Sequence, residues 1–159
     1  MTGNTQQEMK TDNIVQAAGI ALGTIVLTLD GEIPVEHLNP GDRIITRDSG
    51  MAVLKVVHTQ EITTRPYRIS ADRLGPGRPE VDTIVTAGQP ILVRGLLAKT
   101  LFASDNAMVP VSRLADGEYI ARCEEQTLRV YELEFDTPHV IYANGLELAS
   151  GCHDMAAVA

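Results

Sequence analysis

The stretch Gly23-Thr24-Ile25-Val26-Leu27-Thr28-Leu29-Asp30-Gly31-Glu32-Ile33-Pro34-Val35-Glu36-His37-Leu38-Asn39-Pro40-Gly41-Asp42-Arg43-Ile44 decides how the rest of the chain is read. Thr24 to Leu29 is a run of β-branched and aliphatic residues, and Asp30-Gly31 after it is a strong hairpin-turn dipeptide. Glu32 to Val35 reads as the partner strand. Asn39-Pro40-Gly41-Asp42 is a second tight turn, because Pro presets one backbone angle and Gly supplies the other. Arg43 to Arg47 then reads as a strand closed by Asp48-Ser49-Gly50. The spacing is that of short strands and turns, not of a helix.

The same texture continues outward. Ala52 to Ile62 reads as one longer strand and Tyr67 to Ser70 as a short one. Leu74-Gly75-Pro76-Gly77-Arg78-Pro79 is a loop. Asp82 to Thr86 and Ile91 to Arg94 are strands flanking Ala87-Gly88-Gln89-Pro90. Leu96 to Phe102 fits either a strand or a turn of helix, and Val111 to Leu114 suggests a helical turn ending at Gly117. Tyr119 to Cys123 and Thr127 to Phe135 read as strands. Val140 to Ala143, Asn144-Gly145 and Leu146 to Leu148 read as a terminal hairpin. Many short strands, no sustained helical period and no helix–strand alternation predict an all-β domain and exclude a nucleotide-binding α/β unit. The expected organisation is an N-terminal arm over 1–18, one domain over 19–150 and a C-terminal tail over 151–159.

Composition narrows the function classes. Of 159 residues, 44% are hydrophobic and only 4% aromatic, with no Trp, so the core must be aliphatic. Twenty-one acids against 13 bases leave a net charge of −8, which argues against nucleic acid or an anionic membrane surface as a partner. No apolar run approaches the roughly 18–20 residues of a spanning helix, and Met1 to Met9 lack a signal-peptide core. The expected location is the cytoplasm, or outside the cell without a cleaved N-terminal signal. Two cysteines, Cys123 and Cys152, make no disulfide framework and no zinc spacing. Cys123 reads as a strand residue and Cys152 as exposed. Cys152-His153-Asp154 is adjacency without packing to hold it. No phosphate-binding, dinucleotide, zinc-protease or nucleophile-elbow motif is present, and no cofactor or metal is expected.

The opening stretch resembles that of Hint domains, the hedgehog/intein autoprocessing fold, in its bacterial form. Four later stretches agree in order: Leu74 to Pro79; Val85-Thr86 to Leu92-Val93-Arg94-Gly95; Val109-Pro110-Val111 with Leu114; and His139-Val140-Ile141-Tyr142-Ala143-Asn144-Gly145-Leu146. The resemblance covers about residues 19–150. It implies a pseudo-twofold horseshoe of short strands with little helix, and a self-cleavage chemistry. In that family a Cys or Ser opens the domain and attacks the preceding carbonyl. A Thr-x-x-His stretch polarises that peptide and protonates the leaving nitrogen. A later His assists, and splicing members end in His-Asn.

Carried over residue by residue, the pattern is incomplete. The nucleophile position is Gly19, which has no side chain. Thr86 matches, but the His of that stretch is Gln89, whose amide hydrogen-bonds yet transfers no proton near neutral pH. His139 matches the late His if the gap is read directly, and Pro138 takes the position otherwise. The terminal His-Asn reads Ala149-Ser150. The expectation is a Hint-like domain with a degenerate active site, acting as a binding or structural module with an unidentified protein partner and standing alone behind its own Met1. Two alternatives remain. One is autoprocessing at another bond, with Cys123 or Cys152 as nucleophile. The other is a small all-β ligand-binding domain with a roomy interior.

Overall fold

Residues 19–150 are described by the computed structural model. Within them, Ile25–Thr28 and Gly31–Pro34 pair as the opening hairpin, with Thr28 opposite Gly31. The turn therefore falls on Leu29-Asp30, one residue earlier than the dipeptide suggests, and Gly31 (φ +109°) begins the returning strand.

In chain order the strands are β1 (Ile20–Ala21), β2 (Ile25–Thr28), β3 (Gly31–Pro34), β4 (Arg43–Thr46), β5 (Gly50–Val53), β6 (Val56–Thr64), β7 (Tyr67–Ile69), β8 (Thr83–Val85), β9 (Pro90–Arg94), β10 (Asn106–Pro110), β11 (Ile120–Arg122), β12 (Gln126–Glu134), β13 (Val140–Ala143) and β14 (Leu146–Ala149). Among the described residues one α-helix, α1, spans Gly95–Phe102. The strands form two antiparallel sheets. One runs β11-β7-β8-β1-β12-β6, and the other runs β10-β9-β14-β13-β2-β4-β5 with β3 beside β2. This is the all-β architecture expected.

Local chemistry explains the departures from simple strand reading. The run Ala52 to Ile62 is two strands, not one, because Leu54 turns inward and is 1% exposed. Its N–H donates to Asp42 O, its carbonyl accepts from Gly41 N, and Lys55 N donates to Glu134 O. The chain crosses there from one sheet to the other. Leu96 to Phe102, open to two readings, is helical: Ala98 packs on the core while Leu96 and Leu101 stay exposed, and Ala103 closes it in the left-handed region with its N–H on Lys99 O. Val111–Leu114 is a single 3-10 turn that stops short of Gly117. Cys123 lies just beyond β11 and is half-buried.

The core is aliphatic, as composition requires. Val26, Ile44, Ile91, Val93, Ile141 and Leu148 fill one sheet's inner face, with Ile69, Val85, Ile120 and Leu133 from the other. Alternation along the strands places these side chains inward. The Asn144-Gly145 turn of the last hairpin ties distant parts together. Both residues have positive φ (51° and 85°), the geometry a two-residue hairpin favours. Asn144 Oδ1 accepts from Ile25 N at 2.8 Å, and its Nδ2 donates to Thr83 Oγ1 at 3.1 Å.

Candidate functional site

The sheet order brings the two ends of the domain together. Ile20 of β1 lies between Tyr131 of β12 and Val85 of β8, so Gly19 sits where the chain enters the domain. Past β8 come Thr86 and the turn leading to Gln89, whose N–H donates to Thr86 O at 3.1 Å. β9 pairs with β14, Ile91 opposite Leu148, which carries Gln89 to Ala149 and Ser150. Residues 70 and 130 positions away from Gly19 thus meet it.

Gln89 is the centre of this cluster and is 1% exposed. Its Oε1 accepts from Gly19 N at 3.3 Å. Its Nε2 donates to Ala149 O at 2.9 Å and to Pro90 O at 3.0 Å. One amide therefore spans the first strand and the last. The depression bounded by Gly19, Gln89, Tyr131, Ile141, Ala149 and Ser150 encloses space for about one water molecule. Thr86 is equally buried, and its Oγ1 has no hydrogen-bond partner among the described residues.

Gly19 has φ +144°, a conformation that favours glycine. A Cβ there would stand 3.2 Å from Val130 Cβ and 3.3 Å from Tyr131 O. Any residue with a side chain, including Cys or Ser, would strain the backbone and push on β12.

His139 joins the cluster through its backbone. Ser150 N donates to His139 O at 2.8 Å, and Ser150 Oγ accepts from His139 N at 2.9 Å. The imidazole is engaged elsewhere: Nδ1 lies 2.7 Å from Asp48 Oδ2, and the ring stands edge-on to Phe135 with centroids 5.5 Å apart. Because a carboxylate only accepts, Nδ1 carries the proton. Burial works to raise the Asp48 carboxyl's pKa, but the Val140 N–H and His139 outweigh it, and the net direction is below the ordinary value. Pro138, the other match for the late His, is exposed.

The structure thus brings together Gly19, Gln89, Ala149 and Ser150, with Thr86 one short turn from Gln89. Such a cluster holds backbone in place: a glycine offers no attacking atom, and a primary amide no titrating proton. Cys123 is not among the lining residues, and Cys152 lies outside the described residues, as do the arm over 1–18 and the tail over 151–159. Among the described residues no group of His, Cys, Asp and Glu is arranged to hold a metal, and no helix is long and apolar enough to cross a membrane. Two features escaped sequence reading. Asp48 passed as a turn residue, and only the fold sets it against His139. Glu147 did carry a signal: it is a charge inside the apolar run Leu146 to Ala149.

Comparison with known proteins follows the same lines. A family model described as a Hint domain matches residues 18–154. No curated protein matches by sequence. Among solved structures, a bacterial intein-like domain from Clostridium thermocellum is similar at TM-score 0.57 and 16% identity, over 84% of this chain and 98% of that one. A DnaB intein from Synechocystis sp. PCC 6803 gives TM-score 0.52 and 16% identity, over 85% and 99%. The gp41-1 intein gives TM-score 0.51 and 15% identity, over 83% and 98%. At such identities the likeness is one of fold.

Proposed function

The chain belongs to the Hint domain family, and from that premise we propose that it is a binding or structural module which no longer cuts or splices peptide bonds. Residues 19–150 form its working unit, with 1–18 as an arm and 151–159 as a tail. The observation that carries the reading is Gly19. The position at which a Hint domain needs a nucleophile holds no side chain, and its φ of +144° and close neighbours suit none. Gln89 supports it, because its buried amide binds Gly19, Ala149 and Pro90 where the family pattern calls for a proton-transferring His. Losing a general acid alone typically removes about 10²–10⁴-fold in rate.

The partner of such a module is a protein. The net charge of −8 weighs against a polyanion. Cys123, offered above as an alternative nucleophile, is half-buried at the end of β11 and away from the cluster's lining, which weighs against altered chemistry there.

Intact mass spectrometry tests the proposal. The protein is produced with a folded reporter fused before Met1 and incubated with and without added thiol. An unchanged mass over days is the expected result. A discrete loss at the bond preceding Gly19 overturns the reading. A loss at any other bond would identify the residue that has taken over.

A further inference from the structure

We propose that Arg47 and Arg94, drawn together over the buried carboxylate of Glu147, form a binding site for a carboxylate borne by an acidic side chain of a protein partner. The proposal rests on the binding-module reading and names what that module would grip. Glu147 of β14 lies opposite Tyr142 of β13, and the Leu148–Ile91 register sets it opposite Leu92 of β9. Arg94 is two residues beyond Leu92 and so on the same face. Arg47 reaches this face from the end of β4, where its N–H donates to Val140 O. The two arginines approach the carboxylate with Arg47 Nη1 3.6 Å from Oε1 and Arg94 Nε 3.1 Å from Oε2.

The exposures decide what this cluster can do. Glu147's side chain is 3% exposed, whereas those of Arg47 and Arg94 are 34% and 39% exposed. A carboxylate so buried is tolerable only with charge partners, so it anchors the two guanidinium groups. Each guanidinium has five donors, and the ion pair engages one nitrogen of each. Both arginine side chains are partly open to solvent, with donors to spare. Two positive charges against one negative leave +1 at this point of a chain whose net charge is −8. Asp105 is paired with Lys99, and Asp48 keeps its own negative charge but is turned to His139 and the Val140 N–H and makes no ion pair with either arginine. A single carboxylate neutralises +1, and its planar oxygens suit guanidinium donors. A phosphomonoester, at about −1.5 to −2, overshoots it inside an acidic protein's field.

The test is NMR titration of the full chain, following the arginine Nε–Hε signals. The probes are glutamate blocked at both ends, blocked glutamine, inorganic phosphate and sodium chloride, all at equal ionic strength. Saturable shifts of Arg47 and Arg94 with blocked glutamate, in the millimolar range, are expected, with none from glutamine or chloride. Arg47→Gln, a partly exposed site, should weaken binding about tenfold or more. Glu147→Gln raises the local charge to +2 and should tighten it; if that variant fails to fold, Arg47→Gln carries the test alone. Equal response to chloride, phosphate binding tighter than glutamate, or unchanged affinity in Arg47→Gln overturns the proposal. Cleavage before Gly19 is read separately by mass, so failure of the binding-module reading and failure of this site are distinguishable.

Discussion

Replacing Gln89 by Met would remove the amide that joins the two ends of the domain while keeping nearly its volume. Three hydrogen bonds go with it: two buried, at 2.9 Å to Ala149 O and 3.3 Å from Gly19 N, and one part-buried, at 3.0 Å to Pro90 O. A hydrogen bond contributes about 1 kcal/mol net, and a buried group left without its partner costs about 1–3 kcal/mol. Taking the two short bonds at about 1.5–2 kcal/mol each, and the long one at under 1, gives about 3–5 kcal/mol. That is a large share of the roughly 5–15 kcal/mol that holds an ordinary domain folded. Urea unfolding followed by circular dichroism should show a lowered midpoint with little change in slope. The melting temperature should fall by about 6–20 °C, at roughly 2–4 °C per kcal/mol for a chain of this length. Gln89→Glu is the companion variant. It keeps an acceptor for Gly19 N but loses both donations, so it should cost at least as much at neutral pH and less as acid protonates it. A loss under about 1 kcal/mol in Gln89→Met would refute the reasoning. Water would then be satisfying these groups, and the cluster would be an open cleft, not a strut.

Two further outcomes follow from the geometry. Gly145→Ala should abolish or severely weaken folding, because φ is +85° and a Cβ there would strike the Gly77 carbonyl; Gly41→Ala, with φ +98° but nothing within 4 Å, should cost only about 1–3 kcal/mol of backbone strain, and equal losses would contradict this. Asp48→Asn should destabilise near neutral pH. The Asp48 pKa is lower folded than unfolded, so its contribution is present above the ordinary carboxylate range and lost as pH falls through the folded value. The gap between wild type and Asp48→Asn in denaturant midpoint should therefore close on acidification below about pH 4, and a gap that widens there would reject the assignment.

The opening hairpin, the Asn144-Gly145 turn and the all-β class were legible because each depends on neighbours in the chain. Leu54 shows the limit of that reading. Nothing in the local pattern distinguishes it from Val53 or Val56, yet its bonds to Gly41 and Asp42 break one apparent strand into two and pass the chain between sheets. Cys123 likewise reads as a strand residue and falls just outside β11, where its N–H finds Pro66 O instead of a ladder partner.

The candidate site divides along the same line. From residue identity alone, Gly19 has no nucleophile and Gln89 no titrating proton, since these follow from the atoms each residue carries. That Gln89 binds Gly19 and Ala149 at once, that a Cβ on Gly19 would crowd β12, and that Asp48 holds His139 depended on the pairing of strands 60 to more than 100 residues apart. Short-range conformational preference sets strands and turns. Which strands become neighbours is set by burying the aliphatic face common to both sheets, and that choice belongs to the whole chain at once.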